Sequence, residues 1–215
     1  MDPAHRVLVE YKPMLIKSKY KIARRLGSPV FEKTQTQKFA LSLGRRGEKG
    51  KKHPRSFSEF GKQLLEKQKI RYTYLLNERQ LRRYVTGVLS KKGVKQDEKL
   101  YEILETRLDS TAYRLGFGPT RLAVRQLVTH GHLCINGHRV DIPSHPLKIG
   151  DRVSIRVGSQ NKKVFIPLEE KLKDYNPPLW LSLDVKKKEG VVKGVPKLES
   201  GSGFDINTVL EFYKR

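Results

Sequence analysis

The sequence predicts an α+β protein: strongly basic, mainly helical segments around one compact unit of two helices and a small antiparallel sheet. Three observations carry this. Apolar residues recur at helical spacing between Ser56 and Val128. The period then switches to two after Gly131, around an Asn136-Gly137 pair that suits a type I′ hairpin turn. Positive charge is uneven, with 23 Lys or Arg against 5 acids in residues 17–95, but 19 against 13 in residues 101–215.

Residues 1–16 show no pattern, and Lys17 to Gly27 reads as a short basic helix or an extended arm. Gly44 to Arg55 is rich in Gly, Arg and Lys and nearly free of apolar residues, so it cannot bury itself. It is expected to be a loop that orders on a phosphate backbone; the blander alternative is a solvated linker. It is not a nucleotide-binding P-loop, since Arg45 stands where the first Gly belongs and Lys52 where a hydroxyl belongs. Ser56-x-x-Glu59 fits a capping box. Phe60, Leu64, Leu65, then Leu81, Tyr84, Val85, Val88 and Leu89 mark one or two amphipathic helices that stop at Gly93.

Asp97 is the expected cap of the next helix, with an apolar stripe of Leu100, Leu104, Leu108, Ala112 and Leu115. Arg107, Thr111 and Arg114 lie on another stripe. Gly116 stops the helix; Gly116-x-Gly118 lacks the third glycine of a dinucleotide loop. Thr120 caps a further helix with Ala123, Val124, Leu127 and Val128 facing inward, Arg121 and Arg125 on its outer side, and Gly131 at its end. Leu133 and Ile135, then Val140 and Ile142, form the hairpin, and Ile149-Gly150-Asp151 turns into a strand through Val153, Ile155 and Val157. Gln160 to Lys188 is mostly polar apart from Pro177 to Leu181, where Trp180 reads as a packing anchor, and Glu189 to Ser202 is rich in Gly and Lys. Val209, Leu210, Phe212 and Tyr213 predict a docked terminal segment.

Among 215 residues, 45 Lys or Arg against 22 Asp or Glu leave a net charge of +23, far beyond what solubility needs, so the expected partner is a polyanion, nucleic acid before anionic membrane. One Cys excludes a disulfide framework and a Cys-rich zinc site. No apolar run is long enough for a membrane span, and Met1-Asp2-Pro3 opens no signal peptide, so a reducing, soluble compartment is expected. His130, His132, Cys134 and His138 are too differently placed, at a helix end and along a hairpin, to share a metal; no metal or cofactor is expected.

The stretch from Thr106 to Ser144, containing Arg107-Leu-Asp, Arg114-Leu-Gly-Phe-Gly, Thr120-Arg-Leu-Ala-Val-Arg-Gln-Leu-Val-Thr-His-Gly-His132 and Asn136-Gly137, resembles the S-four RNA-binding domain. Phe60 to Tyr72, Glu78 to Tyr84, Pro178-Leu-Trp-Leu181 and Leu210-Glu-Phe-Tyr213 are similar to the bacterial-type small-subunit ribosomal protein four family, in order over roughly residues 17–215. The resemblance implies a helical rRNA-binding domain with a basic arm (17–98 plus 183–215), into which an S-four domain and its following segment (99–182, core 106–158) are inserted after an N-terminal extension (1–16). It implies binding of small-subunit rRNA that nucleates assembly of the 5′ domain, and a place near the path of incoming mRNA. It also implies a role in translational accuracy, contact with small-subunit proteins three and five, and a cytoplasmic or organellar ribosome as the location. Two departures stand out. No Cys precedes Cys134, so the zinc cluster of some members is absent, and Leu122 and Ala123 replace the Glu often found in the first turn after Thr120.

The expected action is binding without chemistry, because duplex RNA is read by shape, phosphates and 2′-hydroxyls. The candidate RNA-binding residues of the basic half are Lys17, Lys19, Lys21, Arg24, Arg25, Arg45, Arg46, Lys49, Lys51, Lys52, Arg55, Lys62, Lys67, Lys69, Arg71, Arg79, Arg82 and Arg83. Those of the compact unit are Arg107, Arg114, Thr120, Arg121, Arg125, Gln126, His130, His132, Asn136, Gly137 and His138. No membrane partner is expected, and the chain is expected to be monomeric off the ribosome. Two rival readings share the surface. One is a free translational repressor. The other is an RNA pseudouridine synthase, whose signature shares Arg107-Leu108-Asp109; here Leu108 belongs to the apolar stripe and Asp109 reads as structural.

Overall fold

A computed structural model describes residues 16, 18–49, 57–198 and 203–214; the extension read at 1–16 therefore lies, but for Ile16, outside the described residues. Two basic helices come first, α1 (Lys19–Leu26) and α2 (Gln37–Lys49). The expected loop from Gly44 is thus helical through Lys49; residues 50–56 lie outside the described part. Ala23, Phe31 and Phe39 bury a small cluster here, against Tyr72 of the next helix.

The helices α3 (Glu59–Thr73) and α4 (Glu78–Leu89) are separate, and α5 (Gln96–Glu105) follows. Ser58, not Ser56, caps α3, its Oγ accepting from the Gly61 N–H at 3.2 Å. Asn77 caps α4 in the same way. Lys95 precedes α5 and Asp97 sits within its first turn, where its charge complements the helix dipole. The buried side of α3 is Gln63, Lys67 and Ile70, while Phe60 is exposed. Lys67 is tolerated inside because its ammonium meets Glu78 at 2.9 Å and lies 4.4 Å from the Phe212 ring centroid. The terminal helix α9 (Ile206–Lys214) lays Ile206, Val209 and Leu210 across α3, α4 and α5, completing one core.

The predicted stripe from Leu100 to Leu115 belongs to two helices. The chain breaks at Thr106 and Arg107 before α6 (Leu108–Arg114). The cause is tertiary: the Leu108 and Asp109 N–H groups donate to His145 and Pro143 carbonyls, and the Leu147 N–H donates to Thr106, so the 143–147 segment takes the hydrogen bonds a continuous helix would use. Leu100 and Leu104 accordingly pack in the first core, and Leu108, Ala112 and Leu115 in a second.

That second core lies between α6, α7 (Arg121–Thr129), α8 (Leu168–Lys173) and a five-stranded antiparallel sheet. Its strands are β1 (Leu133–Ile135), β2 (His138–Val140), β3 (Arg152–Ile155), β4 (Leu181–Asp184) and β5 (Glu189–Val192), in the order β2-β1-β3-β5-β4. Asn136 and Gly137 both have positive φ, as the type I′ turn requires. Strand β3 ends at Ile155, and Val157 is exposed in a short 3-10 turn. The expected boundary at 183 cuts β4, so residues 183–192 belong to the sheet and 99–105 to the helical core. Trp180 packs against the sheet core.

Strand β5 crosses α6 so closely that a Cβ on Gly190 would overlap the Leu115 side chain. Gly190→Ala is expected to cost about 1–3 kcal/mol through overpacking, read as a lower midpoint in denaturant unfolding; an unchanged midpoint would show that the crossing relaxes freely.

Candidate nucleic-acid interface

The sheet unit and the helical core meet along a seam of buried ions. Glu105 ends α5 with no exposed surface. Its carboxylate accepts from Arg114 Nε and Nη2 at 2.9 and 3.0 Å, from Arg121 Nη2 at 3.1 Å and from the Tyr74 hydroxyl at 2.7 Å. The Arg121 guanidinium lies 4.7 Å from the ring centroids of both Tyr74 and Tyr113. Burial alone would raise the Glu105 carboxyl pKa; Arg121, and then Arg114, outweigh it and hold it below the ordinary value. Beside this network Arg107 donates to both Asp109 oxygens at 3.0 and 2.7 Å and to the Tyr84 hydroxyl at 2.8 Å. Arg125 donates to the carbonyl of Leu75 and lies 3.7 Å from Asp109. Leu75 has φ +54, so Arg125 helps hold a strained turn between α3 and α4.

This corrects the expectation for four arginines. Arg107, Arg121 and Arg125 are 1, 9 and 4% exposed, and Arg114 is ion-paired over a half-buried surface. Arg121 and Arg125 do not share an outer side; they face the other core, because the apolar inner face of α7 is narrow and the seam lies next to it. Thr120 caps α7, accepting from the Ala123 N–H at 3.1 Å. The acid missing from that first turn is supplied from a distance: Glu32 Oε1 accepts the Arg121 N–H at 2.8 Å, at the positive end of the helix.

The other expected residues divide clearly. Lys17, Lys51, Lys52 and Arg55 lie outside the described residues, and Arg45, Arg46 and Lys49 are on the backbone of α2. Lys67 is 7% exposed and internally paired, Arg71 is half-buried beside Glu78, Lys69 is half-buried and meets Glu66 at 2.6 Å, and Lys62 is exposed but paired with Glu59. Lys19 is half-buried near the Phe31 ring. What remains on the surface is more compact. Lys21, Arg24 and Arg25 are exposed on α1. Arg79, Arg82 and Arg83 are exposed on α4, opposite Leu81, Val85 and Val88, and none pairs with a described carboxylate. Spacings of three and four put such residues on one helix side, where they repel one another unless an anion lies against them.

On the sheet unit Gln126, His130, Gly137 and His138 are exposed and His132 is half-buried. Asn136 serves the turn instead: its side chain donates to Asp151 and accepts the Arg152 N–H, both at 2.9 Å. Arg139, Arg156 and Lys162 fall outside the expected set yet gather round His132, whose pKa is lowered by burial and then by Lys162, His130, Arg156 and Arg139. For Arg139 and Arg156 the signal in the sequence is period two, since 132, 134, 139, 154 and 156 fall on one side of paired strands; Lys162, in the turn beyond, has none. Among the described residues no group of His, Cys, Asp and Glu could hold a metal, and no helix is long and apolar enough to cross a membrane.

Residues 14–105 match the protein family described as ribosomal protein S4/S9 N-terminal domain, and residues 106–153 match the S4 domain. The junction coincides with the break between α5 and α6. The chain is similar to "small ribosomal subunit protein uS4" of Herpetosiphon aurantiacus, 43% identical over 164 residues, covering 75% of this chain and 77% of the relative. It is 39% identical over 201 residues to the protein of that name from Laribacter hongkongensis, and 41% over 205 residues to that of Neisseria meningitidis, each covering 92% of this chain and 97% of the relative.

Replacing Glu105 by Ala is expected to cost about 3–5 kcal/mol, because Arg114 and Arg121 then stay at the seam without a counter-charge. The pH dependence has a definite sign. The folded carboxyl titrates below its ordinary value of 4.5, so its contribution is complete above that pH and is lost as pH falls through the folded value. Urea unfolding at neutral pH and at pH 4 should therefore show a wild-type advantage that shrinks on acidification; an advantage that grows would contradict the network.

Proposed function

The chain belongs to the family of small ribosomal subunit protein uS4, and on that premise we propose that it is a structural constituent of the small ribosomal subunit that binds its rRNA. The observation that carries the reading is the exposed, unpaired row of Arg79, Arg82 and Arg83 on α4. A row of guanidinium groups with no described carboxylate partner suits the phosphates that line an RNA groove, where affinity comes from backbone contact and counterion release. Lys21, Arg24 and Arg25 on α1 extend the basic surface of the same half. We extend the reading to finer roles: early binding that nucleates folding of the 5′ rRNA domain, contact with incoming mRNA and with small-subunit proteins three and five, an influence on accuracy, and a monomeric state off the ribosome.

An RNA-modifying enzyme finds no support here. Asp109, the acid such a reading needs, is clasped by Arg107 and lies 3.7 Å from Arg125 within the seam, where it positions arginines instead of facing a substrate.

Fractionation of native lysate on sucrose gradients tests the residence: the protein should travel with the small subunit at both moderate and high salt, and release to the top at high salt would refute it. Changing Arg79, Arg82 and Arg83 to Ala should weaken binding to small-subunit rRNA and flatten the salt dependence by a slope of about 3, one for each lost phosphate contact. Equal slopes for variant and wild type would remove α4 from the interface.

A further inference from the structure

The outer face of the sheet carries a second concentration of cations, apart from α4. Strand pairing sets it out. Arg139 of β2 is opposite Cys134 of β1, which is opposite Ser154 of β3. One row further, the Arg156 N–H donates to the His132 carbonyl at 2.9 Å, so these two residues are also neighbours across the sheet. Side chains directly opposite in an antiparallel pair lie on the same face. The inward row is Leu133, Ile135, Val153 and Ile155; the outward row is therefore His132, Cys134, Arg139, Ser154 and Arg156.

Two neighbouring features close the group. His132 Nδ1 is 3.0 Å from the buried Ser159 hydroxyl in the 3-10 turn after β3, and the His130 ring at the end of α7 is 6.0 Å away. The Arg139 guanidinium folds across Gly131, where a Cβ would overlap it; Gly131 has φ +67, so the position needs glycine both for the turn and for that approach. Arg139, Arg156 and the exposed Lys162 pair with no described carboxylate. The charged side chains that lower the His132 pKa, after burial, include Lys162, Arg156 and Arg139, from the turn beyond β3, the end of β3 and β2, and the His130 ring faces it from the end of α7.

Arg139 and Arg156 share this face from either side of β1, one row apart, with His132 opposite Arg156, so the face concentrates positive charge that an anion would neutralise. Resting on the rRNA-binding reading above, we propose that His132, Arg139, Arg156 and Lys162 form a second phosphate-binding site, which takes the backbone of an RNA strand on the outer face of the sheet. An anion there would also favour protonated His132, so RNA binding takes up a proton and strengthens as pH falls through the histidine range. An acidic protein surface would satisfy the same charges but leave rRNA affinity untouched.

The test uses the full chain, small-subunit rRNA as the probe, and the double variant Arg139→Ala with Arg156→Ala. The control is Lys186→Ala with Lys187→Ala, which removes the same charge from the exposed β4–β5 turn. The variant's salt slope should be shallower by about 2, so that its deficit against wild type is about 15-fold larger at 50 mM than at 200 mM salt, while the control keeps the wild-type slope. Adding rRNA should also move the His132 ring titration, followed by NMR and assigned with His132→Gln, to higher pH. A variant slope equal to wild type, an equal loss in variant and control, or an unmoved His132 midpoint would each overturn the site. Failure of the wild-type protein to prefer rRNA over heparin would instead refute the rRNA reading itself.

Discussion

The Glu105 carboxylate is the constraint on which the rest depends. It ends the last helix of the helical core, and donors from both cores converge on it: Tyr74 from one, Arg114 and Arg121 from the other. A carboxylate with no exposed surface is tolerable only when its lone pairs are filled by charged or strongly polar donors, because the interior does not replace water. Arg121 meets that carboxylate through Nη2 and lies between two aromatic rings, while its Nη1 has no hydrogen-bond partner among the described residues. Two hydrophobic cores, joined covalently where the chain passes at residues 106–107 and again between β5 and α9, are thereby tied through one buried carboxylate.

The seam also sorts the cations. Arg107, Arg114, Arg121 and Arg125 join the halves through ion pairs and a backbone carbonyl, and Lys67 is spent on Glu78 and an aromatic ring. Among the described residues, exposed cations without a described carboxylate partner gather in groups: the α1 and α4 rows beside the helical core, and Arg139, Arg156 and Lys162 on and beside the sheet. Rigid unpaired charge serves phosphate recognition better than mobile charge, since less side-chain freedom is lost on contact.

Much of this organisation is legible from local patterns. The capping role of Thr120, the two-residue turn at Asn136 and Gly137, the helix stops at Gly116 and Gly131 and the docked terminus all rest on neighbours within a few residues, and all stand in the structure. Strands β4 and β5 carry no such local signal, since β5 opens with Glu and Gly and lies in a Gly- and Lys-rich stretch; pairing of β5 with β3 and of β4 with β5 makes them part of the sheet. The segment from Gly44 reads as a loop for its glycines and charges although α2 runs through Lys49, and Ser56-x-x-Glu59 carries the capping-box pattern although Ser58, with Gly61 three residues on, is the cap.

By itself the sequence determined the class of protein, the positions of its glycine turns and of the Thr120 cap, and the excess of positive charge that calls for a polyanion, because these depend on composition and on spacings within one or two turns of chain. It could not determine which arginines reach solvent. On a helix, spacing places Arg121 and Arg125 near one another, but only the arrival of Glu105, Tyr74, Asp109 and Leu75 from distant segments decides that this side is interior. An arginine is as able to bind a buried carboxylate as a phosphate, so its role is settled by what the tertiary structure brings against it.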